Sequence, residues 1–297
     1  MTSASGLQGA TIDALCHLGR VSRAGYYRWL VEAAPAQTDI ALRHCIQLLA
    51  LANKHYGYRR ITVELRRQGY VVNTKRVLRL VREDNLLVLR RKSFVPQTTD
   101  SGHVFPIAPN LIRELVPTGL DQIWVADITY VRLQQAFIYL AVVLDAFSRK
   151  VVGWALEDHL RAELAIAALD MALAARKPRP NSLIHHSDRG IQYASVDYVR
   201  RLRTFAIHPS MSAPGNPYHN AKAESFMKAL KQEQINAATY TTLEHARSEI
   251  GIFIEEIYNR KRLHSSIGYR PPDEFEQTLT RSSDLVKIHP QNPVTQI

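Results

Sequence analysis

The 297-residue sequence contains only two cysteines, Cys16 and Cys45. That is too few for a disulfide framework, and a reducing cytoplasm is the expected location. Long apolar runs are also missing. The longest, Ala136 to Leu144, is nine residues, whereas a membrane-crossing helix takes about 20. It reads as a buried strand, and no membrane partner is expected. The first ten residues show no basic start followed by an apolar core, so no secretory leader is expected. Internal repeats and low-complexity tracts are absent. Acids are in short supply, and the formal net charge is +11. Residues 1–118 hold 17 Lys and Arg against 8 Asp and Glu, while residues 119–297 hold 21 against 19. A basic front before a nearly neutral rear suggests a nucleic-acid-binding region joined to something else. A generic basic surface would give the same totals.

The basic front reads as helical. Residues 1–33 form two short helices around Gly19, the second starting after Ser22 as N-cap and carrying Tyr26, Tyr27 and Trp29. Two readings stay open: a small helix-turn-helix, or a hairpin with an aromatic face packed on a neighbour. Residues 34–92 read as a helical DNA-binding domain. Ile40–Asn53 is amphipathic, Arg59–Gln68 is helical and ends at Gly69, and Asn73 caps a further helix running to Asp84. In that last helix Val77, Leu80 and Val81 share a face. Lys75, Arg79 and Arg82 form a stripe elsewhere, with Arg76 beside it. Apolar residues inward and cations outward is the pattern of a recognition helix; a solvated cationic face is the competing reading. Residues 93–118 carry Pro96, Pro106, Pro109 and Pro117 without periodicity and read as a linker.

From residue 119 the pattern changes. Gln122–Arg132, Ala136–Phe147 and Val151–Glu157 are three close strands, an antiparallel meander. Then follow a helix at Arg161–Ala175, a strand at Ser182–His186, a helix at Ser195–Thr204, a strand at Ile207–Met211, and helices at Lys222–Ile235 and Leu243–Tyr258. This order predicts an α/β ribonuclease-H-like catalytic core over residues 119–278. Its mixed five-stranded sheet is flanked by helices and preceded by the all-α helix-turn-helix region. Residues 279–297 read as a C-terminal tail.

Three acids carry the chemistry. Asp127 lies in the apolar strand WVADITYV, where an ionised carboxylate is costly unless compensated. An Asp paired with Lys or Arg would explain it as well. Asp188 ends the apolar Leu183-Ile184 segment and precedes Arg189-Gly190, where a turn exposes it or uses it as a cap. Glu224 follows Asp188 after 35 residues. At about 100° per residue, Lys228 and Lys231 share its stripe, opposite Phe226, Ala229 and Leu230. A surface Glu224–Lys228 pair is the plainer alternative. Oxygen donors converging from two strands and a helix suit Mg²⁺ or Mn²⁺ rather than zinc. Without metal, such a cluster repels itself and tends to hold a proton.

The blocks WVADITYV, LDAFSRKVVGW, HHSDRGIQYAS, SMSAPGN through AESFMKALKQE, and YNRKRLHSSIGYRPPDEF, with YGYRRI and NTKRVLRL upstream, resemble an insertion-sequence transposase. The resemblance is to the catalytic frame of the frameshift-type group in the DDE retroviral-integrase-like superfamily, over residues 10–276. It implies a metal-binding, catalytic triad of Asp127, Asp188 and Glu224, with Lys231 near the cleaved phosphate. It also implies two Mg²⁺ ions, replaceable by Mn²⁺, one activating water and the other stabilising the leaving oxygen. The implied activity is cleavage at the 3′ ends of terminal inverted repeats, then strand transfer, with a circular intermediate. Lys228, Arg260, Lys261 and Arg262 would meet the DNA backbone. The implied partners are element and target DNA, further copies of the chain (at least a dimer at synapsis), and an upstream-frame helix-turn-helix protein.

Three positions depart from the family, which has an Asp at His219 and a basic pair at Ala213-Pro214. End-DNA contacts there are expected to be weaker. Cys16-His17 and His44-Cys45 are adjacent pairs whose side chains diverge, so no structural zinc is expected. Two rival functions remain: a nuclease of the same fold that only hydrolyses, and a DNA-binding regulator or decayed transposase.

Overall fold

Thr11 Oγ1 accepts from Ala14 N at 3.3 Å and Ser22 Oγ from Gly25 N at 3.0 Å. These hydroxyls start α1 (Ile12–Leu18) and α2 (Arg23–Leu30). Three longer helices follow: α3 (Gln37–Ala52), α4 (Tyr58–Arg67) and α5 (Thr74–Glu83). Leu42, Ile46, Ile61, Leu65, Val77, Leu80 and Val81 are buried between them. The turn after α4 passes through Gly69 at φ +89°, a conformation only glycine adopts without strain. Asn73 Oδ1 then accepts from Lys75 N at 2.8 Å and opens α5. Arg43 of α3 pairs with Glu83 and Asp84, clasping α3 to the end of α5. In this computed structural model, residues 1–89 form one unit and residues 90–297 a second. The structure describes residues 11–30, 37–88, 106–212 and 221–288.

The second unit is built on a five-stranded mixed sheet in the order β3-β2-β1-β4-β5. Its strands are β1 (Ile123–Arg132), β2 (Phe137–Asp145), β3 (Val151–Glu157), β4 (Ile184–Ser187) and β5 (His208–Met211). The first three form the antiparallel meander, and β4 and β5 add in parallel beside β1. Alternation along β1 sends Ile123, Val125 and Val131 into one core and Trp124 and Ala126 into another. The first core is closed by α9 (Ala221–Leu230) and α10 (Leu243–Ile252). The second is closed by α6 (Ala162–Arg176), α7 (Ile191–Ala194) and α8 (Val196–Thr204). The alanines of α6 allow a close approach to β3. A Cβ on Gly153 would lie 2.2 Å from the Ala168 carbonyl oxygen and 2.7 Å from Ala172 N.

Several expectations change. α9 and α10 each continue as a π-helical turn, over Lys231–Ile235 and Phe253–Asn259, where unbroken α-helices were expected. Residues 106–118, read as linker, lie against the sheet. Leu111 N donates to Ser210 Oγ at 2.9 Å, and Ile112 and Ala108 pack on the two cores. The expected tail from residue 279 continues α11 (Pro272–Ile288). That helix is held by Lys150 to Asp273 at 2.7 Å and by Arg176 to Glu276 at 2.6 Å. Among the described residues, no helix is long and apolar enough to cross a membrane.

Candidate active site

Asp127 sits midway along β1, opposite Val142 of β2, on the sheet side that Val125 turns toward α9. Its Oδ1 accepts from Ile128 N at 2.9 Å. The side chain is half-buried among apolar neighbours. Burial, the charge of Asp188 and the charge of Glu224 push its carboxyl up to about 7, against the lowering pull of the Ile128 N–H and Lys231. The direction is the one expected where acids lie together without a metal.

Asp188 reaches this point through β4, which runs parallel to β1 with His185 opposite Trp124. Its Oδ1 accepts from Gly190 N at 2.9 Å, closing the turn beyond the strand. A Cβ on Gly190 would lie 3.0 Å from that oxygen and 3.1 Å from Gln192 Oε1, so the turn is drawn tight around a glycine. The capping role foreseen for Asp188 is real, and the same carboxylate still bears on Asp127. Glu224 arrives on α9, whose Ala223, Phe226, Met227, Ala229 and Leu230 are buried while Glu224 and Lys228 are exposed. Desolvation raises the Glu224 carboxyl. Among the described residues no ion pair joins Glu224 to Lys228.

Lys231 begins the π-turn after α9, and its Nζ lies 4.8 Å from the centre of the Tyr130 ring. Burial pushes this ammonium down and Asp127 pushes it back up. The cluster thus holds three carboxylates and one nearby cation, all donors being hard oxygens, which fits divalent Mg²⁺ or Mn²⁺. The three acids are set more widely than a single-ion cage. Among the described residues, the grouping whose candidate ligand atoms all lie within 4.8 Å of one another is Glu157, Asp158 and His159. Glu157 there also faces Arg247 at 3.4 Å.

The other cations divide. Lys75 and Arg82 are exposed on α5 and form no ion pair among the described residues. Arg76 and Arg79 instead reach Asp39 of α3, with Arg76 Nε at 3.0 Å and Arg79 Nη2 at 3.4 Å. The Arg76 hydrogen bond holds the Asp39 carboxyl below its usual range, so both arginines help bind α3 to α5. Arg260 is exposed, pairing with Glu256 and lying 3.7 Å from Asp273. Arg262 requires a correction. It is only 9% exposed and grips Glu233 through Nη2 at 2.7 Å and Nε at 3.0 Å. Its charge is spent inside the fold because the π-turn brings Glu233 to it. His219 and Ala213-Pro214 lie outside the described residues.

Sequence reasoning missed several contributors. Tyr130 supports Lys231, yet its own signal was only an aromatic residue in a strand. Tyr193 is buried on α7, a single turn too short for periodicity to reveal. Arg189 Nε donates to Ser212 O at 2.9 Å, joining the ends of β4 and β5. Asn259 makes two 3.0 Å hydrogen bonds to the Val151 backbone on edge strand β3; its place in YNRKR was the available hint.

An integrase core domain family matches residues 117–217, a second integrase core domain family matches 206–272, and an HTH-like domain matches 37–94. The chain is 39% identical over 272 residues to the transposase InsF of insertion sequence IS3A from Escherichia coli K12, covering 90% of this chain and 94% of that protein. It is 38% identical over 268 residues to the 31 kDa protein of insertion element IS600 from Shigella sonnei, covering 89% and 97%. An integrase assembly of simian T-cell lymphotropic virus aligns at 17% identity and TM-score 0.45, over 85% of this chain and 77% of that one. Identity this high over nearly the whole of both transposon proteins makes the chain a member of the IS3-type DDE transposases, polynucleotidyl transferases with an integrase core.

Proposed function

We propose that this chain cuts the 3′ ends of an insertion sequence at its terminal inverted repeats and transfers them, in a metal-dependent reaction, through a circular intermediate. The observation that carries this reading is the placement of Asp127 on β1, Asp188 just beyond the parallel β4 and Glu224 on α9, with Lys231 beside them, in a chain that belongs to the IS3-type transposases. Such a cluster is unfavourable alone and is relieved by divalent cations. Asp127, Asp188 and Glu224 would hold two Mg²⁺, with Mn²⁺ as a substitute. When bound, the ions supply an activated water and charge neutralisation at the scissile phosphate.

Bond accounting supports a two-step reaction in one site. Water oxygen joins phosphorus as the P–O3′ bond breaks, leaving a free 3′-OH. That hydroxyl then joins the phosphorus of the opposite element end as a second P–O3′ bond breaks. One ester forms for each ester lost in the second step, so neither a nucleotide cofactor nor a bond to the protein is required. Lys228, Lys231 and Arg260 are suited to hold the backbone beside the acids, and Lys75 and Arg82 to hold it at α5. Arg76 and Arg79 have their charge partly matched by Asp39, and Arg262 serves Glu233.

Joining two element ends calls for at least two copies of the chain at synapsis, and an upstream-frame helix-turn-helix protein is a further partner. The working division is a helical hairpin or helix-turn-helix over 1–33, a DNA-binding domain over 34–92 and a core over 119–278, against which residues 106–118 also pack. The test is a strand-transfer assay on terminal-repeat DNA with Mg²⁺. Joined product from an Asp127/Asp188/Glu224→Ala triple variant would sink the site assignment. Nicks without joined product from the native chain would reduce the activity to hydrolysis.

A further inference from the structure

Arg76 and Arg79 do not turn outward as a pair. Arg76 gives Nε at 3.0 Å and Nη2 at 2.5 Å to a single oxygen, Oδ1, of the buried Asp39. Arg79 meets the other oxygen, Oδ2, through Nη2 at 3.4 Å, and its Nε lies 3.6 Å from Glu83 Oε1. Nε and Nη2 form the side-on edge of a guanidinium. The two acids thus occupy one edge of Arg79. The end-on edge, Nη1 with the second N–H of Nη2, meets no acceptor among the described residues. The Arg79 side chain remains 59% exposed, against 38% for Arg76. It stands on the exposed stripe of α5, four residues after Lys75 and three before Arg82.

Charge separates the three residues of that stripe. Around Arg79, the cations Arg43, Arg76 and Arg79 meet the anions Asp39, Glu83 and Asp84 in one ion-pair network. The network is neutral, so it draws phosphate weakly, and its acids oppose one. Lys75 and Arg82 form no ion pair among the described residues and keep the full charge that a phosphate contact uses. What the network gives Arg79 is direction. A planar fork already held by two carboxylates loses little freedom on binding. Two parallel N–H donors match O6 and N7 of guanine in the major groove, an uncharged pair of acceptors. We propose that Arg79 is a specificity-determining residue, reading a guanine of the terminal repeat through its end-on edge. Asp39 and Glu83 are the positioning residues that aim this edge, and Lys75 and Arg82 hold the flanking phosphates. This rests on the reading of α5 as the DNA-facing helix of its unit.

The test measures binding of the full chain to terminal-repeat duplexes, each with one guanine replaced by 7-deazaguanine, which lacks N7 and keeps its base pairing. The native chain is expected to bind about tenfold more weakly when one particular guanine is replaced. Arg79→Ala is expected to bind that duplex and the unmodified one equally, with the native slope of log binding constant against log salt. Lys75→Ala and Arg82→Ala are expected to keep the tenfold discrimination and each to lower the slope by about 0.9. Asp39→Asn and Glu83→Gln leave the Arg79 charge in place and are expected to reduce the discrimination. Circular dichroism checks their folding, and Glu83→Gln carries the comparison if Asp39→Asn unfolds. The proposal is overturned if no guanine is sensitive in the native chain, if Arg79→Ala keeps the discrimination, or if Arg79→Ala lowers the slope as a phosphate contact would. Full discrimination in both folded acid variants removes the positioning role. If Lys75→Ala, Arg79→Ala and Arg82→Ala all bind with native affinity and slope, α5 does not face DNA and the underlying reading itself fails.

Discussion

The ammonium of Lys231 rests 4.8 Å above the Tyr130 ring, and its charge acts on Asp127. The aromatic face holds a cation where it offsets part of the acids' repulsion, and that position also suits a DNA phosphate. Lys231→Ala is expected to abolish most joining and to lower the slope of log binding constant against log salt by about 0.9, the share of one phosphate contact. Tyr130→Leu leaves the charge but loosens it, so joining falls less and the salt slope is retained. Salt-titrated DNA binding with strand-transfer rates separates the two.

Asp127 gives the metal-free protein a pH dependence of known sign. Its folded carboxyl titrates at about 7, above the ordinary 3.8, so the native state binds the proton more tightly than the unfolded chain. Stability contributed by that proton is lost as pH rises from about 4 to 7. In a chelator, Asp127→Asn is expected to melt above the native chain at pH 8, and the gap is expected to shrink on acidification and close only below about pH 4. Adding Mg²⁺ is expected to narrow the pH 8 gap by stabilising only the native chain.

His185 acts in the opposite direction. Burial is the main cause that pushes its imidazole down to about 3, so the unfolded chain takes up a proton near 6.5 that the folded chain refuses. Stability is complete above pH 6.5 and falls with acidification, by up to about 1.4 kcal/mol per pH unit. Between about pH 4 and 6.5 the Asp127 and His185 slopes oppose each other. The Asp127→Asn chain is therefore expected to lose stability on acidification more steeply than the native one, measurable by denaturant unfolding across this range.

Arg262 and Arg260 are two residues apart and are expected to behave differently. Arg262→Ala leaves the half-buried Glu233 unpaired, at a cost of about 1–3 kcal/mol. Arg260→Ala, at an exposed site, is expected to change stability by no more than about 0.5 kcal/mol. If Arg262→Ala weakened DNA binding with full stability, the structural role given to its ion pair would be wrong.

Gly153→Ala tests the close approach of β3 to α6. Its new methyl would meet backbone atoms rather than a yielding side chain. A loss of about 3 kcal/mol or more is expected, seen as a lowered thermal midpoint or as insoluble protein.

These residues also show what could be read from sequence. The meander, the parallel additions and the outward stripe of α9 follow from local periodicity, so Asp127, Asp188 and Glu224 could be assigned to two strands and a helix in advance. The turn glycine after Asp188 was visible for the same reason. Arg262 could not be assigned this way. Its fate depends on a π-turn that rotates Glu233 toward it, and no local pattern encodes that contact. Arg76 and Arg79 looked like a DNA-facing pair because Asp39, their partner, lies 37 residues before Arg76 and on another helix. Tyr193 was hidden by the shortness of α7.

The tie between Arg189 and Ser212 has a consequence for how this lineage can diversify. Ser212 N also donates to Ser187 O at 3.0 Å, so the chain is fastened beside Asp188 before residue 213 begins. Beyond residue 220, α9 seats Glu224 through its own buried face. Asp188 and Glu224 are thus each anchored by contacts made outside residues 213–220. A change of sequence within residues 213–220 would leave both of these anchors in place.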